Sequence, residues 1–317
     1  MGNYAPLTEK GILARFYQVL GQEIGAGIPS RIGMNIPSNE ETETYRFLGS
    51  SPMMREWVGG RLLESLQKNE YQLANKHYEA SLDFNVDDLR RDKTGQMMLR
   101  IADLAKKTAA HWEKLRSAAE VAGTSALCYD GQYFFDSDHA EGVTGSQINL
   151  ITATQVTSCN VSTAAAPTAD ELALVFTGLV SYMMTYVDSM GDPVNGDARK
   201  FLAVLPPNMF AAGLQAVTAD RLSSGISNVV EGFQARGFNI DVACNPRLGA
   251  AGAVFYFYRE DGTMKPYLLQ DERGVQTSMI GRGSEEEFKN NRWLMGVDAW
   301  RAVGYGLWHG AQHVTLS

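Results

Sequence analysis

The chain has 317 residues, 44% of them hydrophobic, with 28 Lys and Arg against 36 Asp and Glu, a formal charge of −8. That length and apolar content support one large domain or two modest ones and exclude a disordered chain. The acidic balance excludes a protein built to grip nucleic acid over a large surface, because such affinity comes mainly from phosphate neutralisation by Lys and Arg.

No run approaches the roughly twenty apolar residues of a membrane span. The first residues, MGNYAPLTEKGILARF, carry neither the apolar stretch of a secretory signal nor the Ser or Thr of a myristoylation signal. Cys128, Cys159 and Cys244 are odd in number and lack a CxxC pair, which argues against a disulfide framework and a zinc site.

In chain order, Ile12, Phe16, Leu20 and Ile24 fall at four-residue spacing, with Leu13 and Tyr17 beside them, and predict a helix over Thr8 to Ile24. Gly25 and Gly27 end it, and Ile28 to Asn39, with Pro29 and Pro37, reads as an extended connector. Next comes a long hairpin. Its outgoing strand is Thr42 to Gly49 and its return strand Asn75 to Val86, where Tyr78, Ala80, Leu82, Phe84 and Val86 alternate with Glu79, Ser81, Asp83 and Asn85. Period-2 alternation marks a strand buried on one face. The residues between the strands predict a short helix entered through Ser51 and Pro52. A two-stranded arm is marginal alone in water, so a neighbouring subunit covers that face or the arm folds back on its own domain.

After the arm, Met97, Ile101, Leu104, Ala105, Trp112 and Leu115 mark one face of a helix from Gln96 to Gly123. Its length of about 27 residues makes a rod of roughly 40 Å. Between Ser146 and Pro167 the composition shifts to Ser, Thr, Asn and Ala, as in a linker or irregular segment. Thr168 to Glu171 then forms a capping box, and Leu172, Val175, Phe176, Leu179, Met183, Tyr186 and Val187 follow at helical spacing. A strand over Phe201 to Leu205 and helices over Asn208 to Leu222 and Ile226 to Gly237 precede a mostly β remainder: FNIDVAC, AVFYFYRE, KPYLLQDE and a last region from Phe288 to Val314. Strands interleaved with helices without a βαβ repeat indicate an α+β fold.

Chemical motifs are weak. His309 and His313 have HxxxH spacing, but no Glu sits between them to act as the base of a zinc protease. Asp136, Asp138 and His139 read equally as an ion site or a polar turn. The Asp188 to Asp197 loop lacks EF-hand spacing. Gly25, Gly27 and Gly33 miss the dinucleotide fingerprint, and there is no GxSxG elbow or Walker loop. No catalytic, cofactor or metal residue is assigned.

Longer motifs carry a resemblance. ETYRFLGSSPMMREWVGGR, YQLANKHYEASLDFNVDDLRRDKTG, ALCYDGQYFFDSDH, KPYLLQDE and WLMGVDAWRAVGYGLWHGA are together similar to the major head subunit of Mu-like phages and prophages. The resemblance spans nearly the full length. It is strongest at Thr42 to Gly95, Leu127 to His139 and Lys265 to Ala311, and weakest from Ser146 to Asn160.

It implies the Hong Kong 97-type fold of tailed-phage major capsid proteins, divided into an N-arm (1–37), an E-loop (38–86), a peripheral domain (87–147 and 262–317, with a spine helix over 96–123) and an axial domain (148–261). Parts of the C-terminal segment are open to assignment to the axial domain. The implied function is a non-enzymatic subunit of an icosahedral shell around double-stranded DNA, assembled in the host cytoplasm and resident in the virion. The alternative is an encapsulin-type compartment of the same fold. Implied partners are copies of itself in hexamers and pentamers, separate scaffold, protease and portal proteins, a possible decoration protein, and packaged DNA touched weakly. A separate scaffold is expected because the chain reaches its first helix by Thr8. No membrane and no cofactor are implied. For contacts between subunits, the arm offers the aromatic and apolar anchors Tyr45, Phe47, Trp57, Tyr78, Leu82 and Phe84, and Arg55, Glu56 and Arg61 are candidate ion pairs.

Overall fold

The computed structural model describes residues 8–25, 27–46, 70–91, 95–142, 144–157, 161–221, 227–249 and 252–317. Thr8 caps α1 (Glu9–Glu23) by accepting the Gly11 amide, one of the donors that a helix start leaves without an intrahelical partner. The helix buries Ile12, Phe16, Val19 and Leu20, whereas Ile24 falls beyond its end and is exposed. The expected extended connector begins instead as a one-turn helix, α2 (Ile28–Ile32), with Pro29 in its first turn, before β1 (Gly33–Pro37).

The hairpin is shorter than its sequence pattern indicates. β2 (Thr42–Tyr45) pairs with β3 (Tyr71–Ala74), from Thr42 opposite Ala74 to Tyr45 opposite Tyr71. After Asn75 the chain enters β4 (Lys76–Asn85), which pairs with the distant β10 (Arg292–Tyr305), Phe84 lying opposite Trp293. The strand read as the return arm therefore belongs to the body of the molecule. Its alternation is real, with Tyr78, Ala80 and Leu82 half-buried and Phe84 and Val86 buried, but their cover comes from the same chain.

Next come α3 (Val86–Arg91), α4 (Gln96–Ala109) and α5 (His111–Ala122). The single rod is thus two helices, divided at Ala110, where ψ opens to −3°. Alanine favours helix, so nothing in the sequence announces the break.

β1, β9 (Tyr267–Ile280), β10 and β4 form a four-stranded sheet in that order, with α10 (Glu285–Asn290) at the turn between β9 and β10. One face of the sheet packs on α1 and α4 through Phe84, Met295, Val297, Trp293, Phe16 and Ile101. The residues of β4 that point the other way, His77, Glu79, Ser81 and Asp83, are exposed.

The second sheet has five strands in the order β5 (Leu150–Thr152), β11 (Ala311–Thr315), β8 (Val254–Arg259), β6 (Lys200–Leu205) and β7 (Asn239–Cys244). The Ser-rich segment is therefore not a linker. It supplies β5, with Ile151 buried, and α6 (Ala153–Val156). α7 (Ala169–Met183), started by the Thr168 and Glu171 capping box, α8 (Pro207–Thr218) and α9 (Val229–Gln234) complete this part. Phe176 of α7 meets Phe255 and Phe257 of β8 on one face, while Tyr256 and Tyr258 of the same strand meet Phe135 and Tyr267 on the other. Burial on both faces explains the near-continuous apolar runs of β6 and β8.

The two sheets are joined by the long β9 and β10 pair. Met295 and Val297 lie in the smaller core, and Tyr267, Leu268 and Tyr305 in the larger.

Candidate assembly surface

The base of the β2–β3 hairpin is bolted to the four-stranded sheet by a compact set of polar contacts. Tyr45 donates its hydroxyl to Gln270 Oε1 at 2.5 Å, and Gln270 Nε2 donates to the Leu73 carbonyl at 3.2 Å. Tyr71 stacks beside Tyr45 at 6.5 Å between centroids, and its hydroxyl accepts the Tyr305 amide at 3.1 Å. Burial pushes both phenols up to about 12, so both keep their protons at any physiological pH.

At the other end of the hairpin base, Asn75 is buried. Its Nδ2 donates to Ser38 Oγ and the Glu40 carbonyl, and its backbone amide to the Glu41 carbonyl. A side chain at Gly304 would bring its Cβ to 2.8 Å from Leu73 and 2.9 Å from the Tyr71 hydroxyl, so this glycine lets the hairpin lie directly on β10. Further out, Arg46 and Glu70 form an exposed ion pair at 3.0 Å across the two strands.

Of the anchors expected from sequence, Phe47, Arg55, Glu56, Trp57 and Arg61 lie outside the described residues. Tyr45 and Phe84 are buried within their own chain. Phe84 is 1% exposed within the smaller core and Tyr45 is buried at the hairpin base, so neither presents its ring to a neighbour in this conformation. Leu82 and Tyr78 are half-buried beneath α4 and at the α4–α5 elbow, with the Tyr78 ring 4.5 Å from that of His111. The residues that fix the hairpin, Gln270, Tyr71, Asn75 and Gly304, escaped the sequence reading, since a lone Gln or Gly in a strand carries no period.

The motifs weighed for chemistry resolve into structure. His139 pairs through Nδ1 with Asp130 at 2.6 Å and stacks on Trp308 at 4.1 Å, while the Asp136 carboxylate accepts the Tyr133 and Ser137 amides. His309 donates through Nε2 to the Val187 carbonyl at 3.2 Å, and His313 packs against Phe135 and Tyr256. Burial pushes His309 down to about 3 and His313 to about 4. Among the described residues no group of three His, Cys, Asp or Glu gathers as a metal site, and no helix is long and apolar enough to cross a membrane.

The densest polar cluster is buried and closed. Arg116 meets Glu120 and Glu113 at 2.6 Å each, and Glu120 also accepts from Tyr258 and Asn245 at 2.8 Å. Burial works against the Arg116 charge, but the two carboxylates outweigh it and hold the guanidinium above its ordinary range. This arrangement clamps α5 to the five-stranded sheet.

The described residues thus form a two-sheet α+β body with a hairpin rooted on the smaller sheet. The chain belongs to the family described as Mu-like prophage major head subunit gpT, whose profile matches residues 10–168 and 234–315. It is 29% identical over 163 residues to the Mu-like prophage FluMu major head subunit of Haemophilus influenzae, covering 50% of this chain and 52% of that protein. It is 31% identical over 125 residues to the major capsid protein of Escherichia phage Mu, covering 38% of this chain and 41% of that one. The chain thus spans about half the length of these curated relatives. The fold matches that of a chain in the procapsid of bacteriophage JBD30 with a TM-score of 0.54 and 21% identity, over 98% of this chain and 77% of the other, in keeping with the expected Hong Kong 97-type fold.

Proposed function

We propose that this chain self-assembles into the closed shell of a tailed-phage head and performs no covalent chemistry. The observation that carries the reading is the hairpin base, where Tyr45, Tyr71, Gln270 and Asn75 fix the direction in which an arm leaves the body. Membership of the head-subunit family supports the reading. A shell requires one chain to occupy similar but unequal positions, and a stiff body with a directed arm meets that requirement.

In this reading the hairpin is the E-loop, with its base ending at Ala74. The four-stranded sheet with α1 and α4 is the peripheral domain, and the five-stranded sheet, including the C-terminal β11, is the axial domain. The partners are further copies in hexamers and pentamers, with scaffold, protease and portal supplied by other proteins, and the destination is the virion. The −8 charge suits an inner wall from which DNA must leave, since tight binding needs phosphate neutralisation.

The test is electron microscopy of the purified full chain, alone and with its co-expressed scaffold. Rings or shells are expected, and a chain with residues 48–69 replaced by a short Gly-Ser turn is expected to stay soluble and unassembled. A wild-type chain that remains a single subunit under both conditions refutes the reading.

A further inference from the structure

Where α4 meets α5 at Ala110, the side of the elbow facing β4 and β10 is a cleft of about 250 Å³, lined by Tyr78, Leu104, Lys107, His111, Lys114 and Arg301 among others. Arg301 is 2% exposed, its guanidinium carbon sits 4.6 Å above the Trp112 ring, and its Nε and Nη1 have no hydrogen-bond partner. A buried guanidinium without a partner is unfavourable unless an anion or hydrogen-bond acceptor reaches it.

Among the described residues no acid pairs with it. Asp271 stands opposite Arg301 in the β9–β10 ladder and favours its charge, but its Oδ1 makes no hydrogen bond and the two form no ion pair among the described residues. Asp298 is paired with His77 at 3.3 Å, and Glu79 accepts from Ser81 at 2.9 Å. Burial, then the charges of Arg301, Lys114 and Arg247, push His111 down to about 4. The imidazole is therefore neutral at physiological pH, in a field set by three cations.

We propose that this cleft receives a carboxylate side chain from a second copy of the chain, which completes Arg301 and bridges it to Lys114. The inference rests on the shell reading and names one of its contacts. Charge complementarity carries the choice of occupant: Lys107, Lys114 and Arg301 line the cleft against Glu79 and Asp298, whose carboxylates are engaged by Ser81 and His77, on a chain whose 36 acidic residues outnumber its 28 basic ones. Tyr78 and His111 supply flat walls of the kind on which interface anchors rest.

Lys114 is exposed and forms no ion pair among the described residues, so Lys114→Glu reverses the charge at the mouth of the cleft without entering a core. In light scattering at about 0.1 M salt, this variant is expected to raise the concentration needed for shell formation about tenfold or more, with an unchanged thermal midpoint. Lys289→Glu, a reversal at another exposed site, on α10 where Lys289 pairs with Glu285, is expected to leave assembly as in the wild type. Lys114→Gln serves if the reversal disturbs folding, and is expected to show a smaller shift in the same direction. Assembly of the Lys114 variants at the wild-type concentration overturns the proposal while leaving the shell reading intact; failure of the wild type to assemble sinks both. Cryo-electron microscopy of wild-type shells locates the occupant. A carboxylate of an adjacent copy within 4 Å of Arg301 is expected, and an empty cleft or one holding a DNA phosphate overturns the assignment.

Discussion

The two sheets share a pair of strands yet present different surfaces. In the five-stranded sheet, Phe255 and Phe257 of β8 are buried under α7 while Tyr256 and Tyr258 are buried on the opposite face. In the four-stranded sheet, Phe84 and Leu82 of β4 turn toward α1 and α4, while His77, Glu79, Ser81 and Asp83 turn outward. The first sheet is buried on both faces along β8. The second keeps a face, a free edge and a cleft available, and the hairpin is rooted upon it. Under the proposed shell reading, substitutions in the two halves should fail in different ways, the first in stability and the second in assembly.

The largest effects belong to the closed half. Phe257→Ala removes a ring packed against Phe176 and Phe201 and is expected to cost about 4 kcal/mol in urea unfolding of the unassembled chain. Arg116→Met strands Glu120 without its cation in a fully buried site, for an expected loss of about 3 kcal/mol. If either variant unfolds like the wild type but fails to assemble, the division between the halves is wrong.

Acid probes the same half. His309 and His313 are buried neutral, held near 3 and 4, so the unfolded chain binds protons that the folded chain refuses as pH falls from about 6.5. The stability they contribute is complete above about pH 6.5 and is lost as pH falls, toward 4 for His313 and toward 3 for His309. Burial pushes Glu120 and Glu141 up, and these carboxyls act in the opposite sense. The measurement is therefore a comparison: His313→Gln should flatten the slope of stability against pH between 6.5 and 4, and an unchanged slope removes His313 from the account.

Periodicity in the sequence reported burial faithfully and partnership not at all. Tyr78 to Val86 alternates because one face is covered, and the same alternation would arise whether the cover were a neighbouring subunit or α4 of the same chain. The pairing with β10 spans more than two hundred positions and leaves no local mark. The helix face through Met97, Ile101, Leu104 and Ala105 was legible, whereas the next helix hides Arg116, Ser117 and Glu120 against the body, residue types that read from sequence as a solvated side. Asp130, rather than the nearer Asp138, partners His139 because a turn reverses the chain between them. The long motifs were legible as family likeness, which is how the shell reading came through despite the misplaced strand.

At the hairpin base the expected effects are smaller and local. Tyr45→Phe deletes the bond to Gln270 and should cost about 1 kcal/mol, seen as faster amide exchange in Thr42–Tyr45 and Tyr71–Ala74 with little change in the global midpoint. If the whole molecule is destabilised by several times that amount, the hairpin is part of the core rather than an attachment to it.

The smallest effect on stability is expected on the outer face of β4, where it separates folding from assembly most cleanly. β4 is an edge strand among the described residues, its other side bonded to β10, and a ten-residue edge is a template for unwanted pairing unless polar and charged side chains discourage it. Ser81 and Asp83 are exposed there, so Ser81→Val with Asp83→Val removes no core contact and should change unfolding stability by less than about 0.5 kcal/mol. Valine also favours strand, which removes any propensity cost. What should change is specificity: dynamic light scattering is expected to show irregular, polydisperse aggregates where the wild type gives shells of one size. Uniform shells from the double variant would mean that the edge is already covered by a neighbour, and that the open half of the molecule is smaller than its exposure indicates.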